Sequence, residues 1–128
     1  MKPWLLLAAL NGFLAVGAGA LATHAAPDAG GAKMAETGSH YQMFHALALL
    51  AVAWLRERYP SRSAVTIAGV LFCAGILLFS LPLYALGLAG IHIPLVAPVG
   101  GTAFLLGWLA MAWVAAGGGE PEHGSGKS

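Results

Sequence analysis

Histidines and tyrosines lie within uncharged stretches of this 128-residue chain, and they are the side chains whose chemistry could matter most. Thr37, Tyr41 and His45 are spaced four apart, which places them on one face of a helix. His40 is about 140° round the same helix from His45, so one helix cannot bring both to a single metal ion. A metal site would need His45, His24 from a neighbouring helix and a third ligand, and neither histidine has a recognised zinc spacing.

The full set of candidate site residues is polar but uncharged, and most of it falls at one end of the predicted helices. Polar groups inside a membrane are costly, so each one needs a structural or a functional explanation. The favoured interpretation is that four of these side chains satisfy one another and nearby backbone carbonyls, namely His24, Tyr41, His45 and Tyr84. The alternatives are ligation of a metal or haem, or a bound lipid, quinone or proton pathway. The set comprises His24, Tyr41, Gln42, His45, Ser80 and Tyr84.

Catalytic patterns are missing from the sequence, which has no Gly-rich phosphate loop, no nucleophile elbow and no cysteine pair. Cys73 lies between Phe72 and Ala74 and is interpreted as a small packing residue. The basic group that starts at Arg56 sets topology and attracts anionic headgroups, and it needs no nucleic acid. We therefore predict a protein that is not an enzyme, that has no metal or other cofactor and that does not bind nucleic acid.

The positions of the charges predict the elements that carry these residues. The chain is 59% hydrophobic and 9% charged, whereas an ordinary soluble domain has about 25% charged residues, which argues against a cytosolic enzyme. Three stretches are free of charge, namely 3–27, 37–55 and 63–119. A membrane span needs about 20 apolar residues, and a Gly- and Pro-rich segment at 87–101 divides the longest stretch. The sequence thus predicts an all-α membrane protein, a single domain over 1–116 with spans at about 3–23, 38–56, 64–88 and 98–115.

The distribution of lysine and arginine predicts the orientation of this bundle. With the N-terminus in the cytoplasm, five basic residues lie inside and only Lys33 lies outside, which the positive-inside rule favours. The expected architecture is an antiparallel four-helix transmembrane bundle in a bacterial inner membrane, with both termini cytoplasmic and a disordered tail over 117–128. The second helix is expected to begin near Lys33, outside the bilayer. The inside residues are Lys2, Arg56, Arg58, Arg62 and Lys127.

The first span also has some features of a secretory signal peptide. Lys2 precedes an apolar stretch, and Ala20-Leu21-Ala22 resembles a cleavage site. The apolar stretch is nevertheless as long as a membrane span, which exceeds the usual apolar core of a signal peptide. We therefore expect the segment to remain as the first helix.

Small residues predict where the helices approach each other. Ala8 and Gly12 are four apart, as are Ala103 and Gly107, and such spacing permits close helix packing. Internal packing is the favoured use of these positions, and a dimer face is the alternative. Pro82 removes one backbone donor inside the third helix, so a kink is expected there. The glycines predicted to lie at helix contacts are Gly12, Gly19, Gly100, Gly101 and Gly107.

Four segments together resemble the domain of unknown function 423 family, small four-helix membrane proteins that include YgdD-like and transmembrane protein 256 relatives. The most specific pieces are Tyr-Gln-Met-Phe-His-Ala-Leu at 41–47 and Pro-Val-Gly-Gly at 98–101. Leu81-Pro82 departs from the usual motif of the family, whereas most of the candidate site residues stand within its motifs. The resemblance implies a fold and a location in the membrane, and it implies no reaction. The segments are 19–25, 41–49, 79–84 and 98–108.

Three functional hypotheses follow from these features. The first is a non-enzymatic accessory or structural protein that acts by helix contacts with itself or with a larger membrane complex. The second is a binding protein for a lipid, quinone or similar apolar molecule, whose polar head would contact His24, Tyr41, His45 and Tyr84. The third is a proton or solute conductor with His24 and His45 as relay groups, which ranks last because the bundle offers no evident water path.

Overall fold

Four helices make up the described part of the chain, residues 2–118 of a computed structural model. They are α1 (Lys2–His24), α2 (Ala29–Arg58), α3 (Ser63–Ala89) and α4 (Val96–Ala115). The structure confirms the all-α class and the number of helices, and residues 2–118 contain no strand. Gly117 and Gly118 lie in a turn after α4, while the rest of the predicted disordered tail, 119–128, lies outside the described residues.

Three of the helices are long and apolar enough to cross a membrane, namely α1, α3 and α4. Helix α2 has 30 residues, yet it is not among them. The reason is a polar segment near its middle, which contains Ser39, His40, Gln42 and His45. The predicted span at 38–56 therefore lies in a helix of sufficient length that is less apolar than the other three.

Helix α2 begins at Ala29, four residues before the expected start near Lys33. Asp28 explains the earlier start, because its Oδ1 accepts a hydrogen bond of 2.7 Å from the Gly31 N–H and so caps the first turn. Helix α3 ends at Ala89, and Gly90 directly after it has a φ of 69°, the left-handed conformation common after a helix. The aspartate before α2 and the glycine after α3 are both helix-end signals that residue type alone provides.

Helix α3 contains one wide π-helical stretch, Ile76–Ser80, which ends two residues before Pro82. The N–H of Leu81 donates to the carbonyl of Ile76, five residues earlier instead of the usual four. Proline has no N–H to donate, and a local π-type turn is one way in which a membrane helix adjusts to it. The irregularity therefore lies where the kink is predicted, and the bend angle stays a prediction.

The helices associate as two pairs, with α1 mainly against α2 and α4 mainly against α3. Contacts between α2 and α3 join the two pairs. The fully buried core side chains lie at this junction and include Leu49, Val52, Val65 and Phe72. Polar residues of α2 that point inward must consequently find partners on more than one neighbouring helix.

Candidate functional site

Gln42 forms the centre of a hydrogen-bonded bridge across three helices. Its Nε2 donates to the Oδ1 of Asn11 on α1 at 2.9 Å, and its Oε1 accepts from the Tyr84 hydroxyl on α3 at 2.6 Å. Asn11 in turn donates through Nδ2 to the Leu7 carbonyl at 2.9 Å. Gln42 is only 3% exposed, so both of its polar ends are paired in the interior. We call Asn11, Gln42 and Tyr84 the amide bridge.

Two buried serines bond to the backbones of neighbouring helices beside the amide bridge. The Ser39 hydroxyl donates to the Ala15 carbonyl at 2.7 Å, and the Ser80 hydroxyl donates to the Gly38 carbonyl at 2.8 Å. Helix backbone carbonyls already accept bonds within the helix, and a second donor uses their remaining lone pair. The serines thus tie α2 to α1 on one side and to α3 on the other.

His45 faces a different neighbour, helix α4. Its Nε2 accepts a hydrogen bond from the Trp108 indole N–H at 3.1 Å, and its Nδ1 lies 2.7 Å from the Tyr41 carbonyl. An indole can only donate and a carbonyl can only accept, so the pattern assigns the proton to Nδ1 of a neutral ring. The Phe104 ring stacks on this imidazole with centroids 3.6 Å apart and planes 9° apart. Both ring nitrogens are therefore occupied within the chain.

The structure brings together only some of the predicted site residues. Gln42, Ser80 and Tyr84 are joined through α2 and α3, as expected for a polar cluster. His24 is the exposed last residue of α1, and within residues 2–118 its side chain forms no hydrogen bond. Of the four residues expected to satisfy one another and nearby backbone carbonyls, His45 bonds to the Tyr41 carbonyl, whereas Tyr84 bonds to Gln42. They lie on three different helices, so each polar group bonds to a neighbour that its own helix brings close.

Two residues of the site were missed by the sequence patterns. Asn11 is not among the predicted site residues, yet its side chain bonds directly to Gln42. Trp108 is not among them either, and it donates to His45. Signals for both exist in the sequence, since a carboxamide or an indole N–H within an apolar helix requires a partner.

The predicted packing glycines divide into two groups. A Cβ on Gly107 would lie 2.6 Å from the Phe72 ring, one on Gly100 would collide with the Phe79 backbone, and one on Gly19 would lie 3.0 Å from Ser39 Oγ. A Cβ on Gly12 would meet nothing within 4 Å, and one on Gly101 only the Phe79 ring at 4.0 Å. Within one chain, these last two do not mark a close helix contact. Further close approaches occur at Gly31, Gly38, Gly69, Gly75 and Gly87.

Grooves on the surface of the bundle adjoin both parts of the site. One groove of 440 Å³ between α1 and α3 has apolar walls and includes Gln42 and Tyr84 in its lining. A second, also of 440 Å³, is lined by aromatic side chains that include Tyr41, His45 and Phe104. Among residues 2–118, no three histidine, cysteine, aspartate or glutamate side chains come close enough to hold a metal ion.

Comparison with known proteins gives consistent matches over most of the chain. Residues 18–101 match the family model described as "Protein of unknown function (DUF423)". The chain is 42% identical to the UPF0382 membrane protein YwdK of Bacillus subtilis, covering 85% of this chain and 92% of that protein. It is 38% identical to the UPF0382 inner membrane protein YgdD of Escherichia coli, covering 84% of each. No solved structure matches the chain significantly.

Proposed function

This chain belongs to the DUF423 family of membrane proteins, and from that premise we propose an antiparallel four-helix transmembrane bundle with both termini in the cytoplasm. The three apolar helices support the spans, and α2 would be the fourth. The excess of basic residues at 56–62 over the single Lys33 supports the orientation. The relative named an inner membrane protein favours a bacterial inner membrane as the location.

Cysteine labelling in intact cells tests this orientation. Cys73 is replaced by alanine, and one cysteine is then introduced at Glu36 or at Arg58, which are both exposed and lie towards opposite ends of α2. A membrane-impermeant maleimide should label the Glu36→Cys protein from outside and label the Arg58→Cys protein only after the cells are opened. The reverse pattern, or labelling of both from one side, would contradict the proposed topology.

The role we propose for the bundle is that of a non-enzymatic accessory protein that acts by helix contacts with another copy or with a larger membrane complex. The observation that carries this proposal is the contrast between its interior and its surface. Inside, Gln42, Tyr84 and His45 use their polar groups on one another or on neighbouring residues. Outside, α1 exposes large apolar side chains, with Phe13 76% exposed and Val16 64% exposed.

Photo-crosslinking in the native membrane tests the accessory role. A photoreactive amino acid in place of Phe13 should yield an adduct with a second copy or with another membrane protein. The same probe in place of Phe72, which is fully buried, serves as the matched control and should yield only crosslinks within the chain. Adducts with lipid alone at Phe13, together with a strictly monomeric mass after extraction, would refute the accessory role.

A second candidate function is the binding of an apolar molecule in the 440 Å³ groove between α1 and α3. The groove favours this function because Leu14, Leu21 and Leu88 form apolar walls beside the polar Gln42 and Tyr84. Native mass spectrometry of the protein extracted in mild detergent should then detect a retained small molecule that is lost in the Tyr84→Phe protein. Bare protein in every preparation would exclude this function.

A further inference from the structure

Two arginines converge on one aromatic ring at the junction of α2 and α3. The guanidinium carbons of Arg58 and Arg62 each lie 5.3 Å from the centroid of the Tyr59 ring. Both distances are within the range of a cation–π contact. Arg58 is exposed, whereas Arg62 is only 4% exposed. The charge of Arg58 is therefore available at the surface, and the charge of Arg62 is buried.

Within residues 2–118, the hydrogen bonds of Arg56 and Arg62 go to neutral carbonyls. Arg56 donates to the Pro60 carbonyl at 2.8 Å, and Arg62 donates through Nη2 to the carbonyls of Val114 and Gly118, the first at 2.9 Å. Arg62 thereby caps the last turn of α4, where a cation is favourable. Carbonyl dipoles satisfy donors without cancelling a full charge, and the buried Nε of Arg62 has no partner within the described residues. An external anion would therefore be attracted to this end of the bundle.

An apolar groove begins at the same tyrosine. It has a volume of 480 Å³ and lies between the C-terminal parts of α2 and α4. Tyr59 lines it, and so does Val114, the residue whose carbonyl binds Arg62. Leu55 and Met111 continue its apolar wall away from the arginines. Positive charge thus lies beside one end of this groove.

We infer that this groove binds a phospholipid with an anionic headgroup. The phosphate contacts the exposed Arg58, the buried Arg62 adds positive charge beneath Tyr59, and one acyl chain lies along Leu55 and Met111. Basic pockets between membrane helices are known sites for anionic headgroups. Here the arginines complement the charge of the headgroup, and the apolar wall beside them complements the acyl chain. A zwitterionic lipid fits the groove equally well but gains less from the arginines, so the site discriminates by headgroup charge.

Competitive lipid retention by the purified full-length protein tests the inference. The protein is equilibrated in micelles with phosphatidylglycerol and phosphatidylcholine of identical chains, and bound lipid is counted by native mass spectrometry. We expect phosphatidylglycerol to be retained in preference, and Arg58→Gln to lower its retention about fivefold, the effect of one basic residue near an anionic surface. Lys33→Gln removes the same charge from the other half of α2 and should leave retention unchanged.

The groove is tested separately from the charge. Ala112 is exposed and lines the groove, so Ala112→Leu should fill it and reduce retention of the two-chain lipid. Ala51→Leu adds the same volume at an exposed position of α2 that is not among the groove residues, and it should have no effect. Soluble glycerol phosphate, which has no chains, should bind equally weakly to all of these proteins.

Four results would overturn the inference. Equal retention of the two lipids, or equal losses in Arg58→Gln and Lys33→Gln, would show that the basic group does not select the headgroup. Thermal stabilisation by glycerol phosphate as large as that by phosphatidylglycerol would indicate a site for a free anion. Retention that appears only after Glu120→Gln and Glu122→Gln would show that the acidic tail of the chain is the ligand of these arginines.

Discussion

The two helix pairs of this protein are held together by different kinds of contact. Between α1 and α2, polar side chains cross the interface, with Gln42 bonded to Asn11 and Ser39 bonded to the Ala15 carbonyl. Between α3 and α4, phenyl rings pack against glycines, with Phe104 over Gly75 and Phe72 over Gly107. The second arrangement is reciprocal, because each helix supplies one ring and one glycine.

The difference shows how a small membrane bundle can fix the relative positions of its helices when no hydrophobic driving force brings them together. Lipid tails are as apolar as leucine, so burial alone does not favour helix contact over lipid contact. A hydrogen bond between helices selects one rotation of α1 against α2, because a small turn would separate donor from acceptor. A ring set against a glycine selects one register of α3 against α4, because any other residue there would collide with the ring.

The largest expected effect is on the ring-and-glycine interface. Gly107→Leu should destabilise the folded bundle by about 3 kcal/mol, because the new side chain must displace the Phe72 ring that a Cβ would already approach to 2.6 Å. Gly101→Leu, on the same helix, is the matched control and should change stability by less than about 0.5 kcal/mol. Reversible unfolding in mixed micelles provides the measurement, and equal losses for the two proteins would contradict the proposed contact.

A smaller effect is expected at the polar interface. Gln42→Leu should cost about 1.5 kcal/mol, because Asn11 and Tyr84 would each lose a buried partner. A double-mutant cycle with Asn11→Leu isolates the bond between the two side chains, whose coupling should be about 0.6 kcal/mol, typical of hydrogen bonds between membrane helices. Strictly additive losses in this cycle would mean that the bond contributes nothing to the pairing of α1 with α2.

The contact between His45 and Trp108 joins α2 to α4, so it links the polar interface to the ring-and-glycine interface. Trp108→Phe keeps a ring at this position but removes the N–H that His45 Nε2 accepts, and we expect a loss of about 1 kcal/mol. Trp113→Phe is the control on the same helix, since Trp113 is 58% exposed and should contribute little. A larger loss for Trp113→Phe in the same unfolding assay would contradict this prediction.

The smallest effect is expected at His24. It is exposed at the end of α1 and forms no side-chain hydrogen bond within residues 2–118, so His24→Ala should change stability by less than about 0.5 kcal/mol. His45→Ala, which loses the Trp108 bond and the stack on Phe104, should be clearly less stable. Equal losses in the two proteins would restore the predicted single cluster that contains both histidines.

Many of the side chains in the site could be predicted from residue types, but which side chain bonds to which could not. The apolar context of Gln42, Ser80 and Tyr84 marked them as polar groups that need partners, and the structure places them together. The same argument can be applied to Asn11, but it shows only that the side chain needs a partner and does not identify the partner. His24 was misleading, because a histidine at a helix end looks the same in sequence whether it faces the bundle or its surroundings.

The sequence by itself determined that the chain is all helical, that it has four helices and that polar residues gather in α2. Charge-free stretches, an aspartate cap and a Gly- and Pro-rich break are local signals, and local signals suffice for such features. Only the tertiary structure decided which polar group meets which, and which glycines lie at contacts. The physical reason is that α1, α3 and α4 are apolar on nearly all sides, so hydrophobic periodicity does not reveal which face of each helix turns inward.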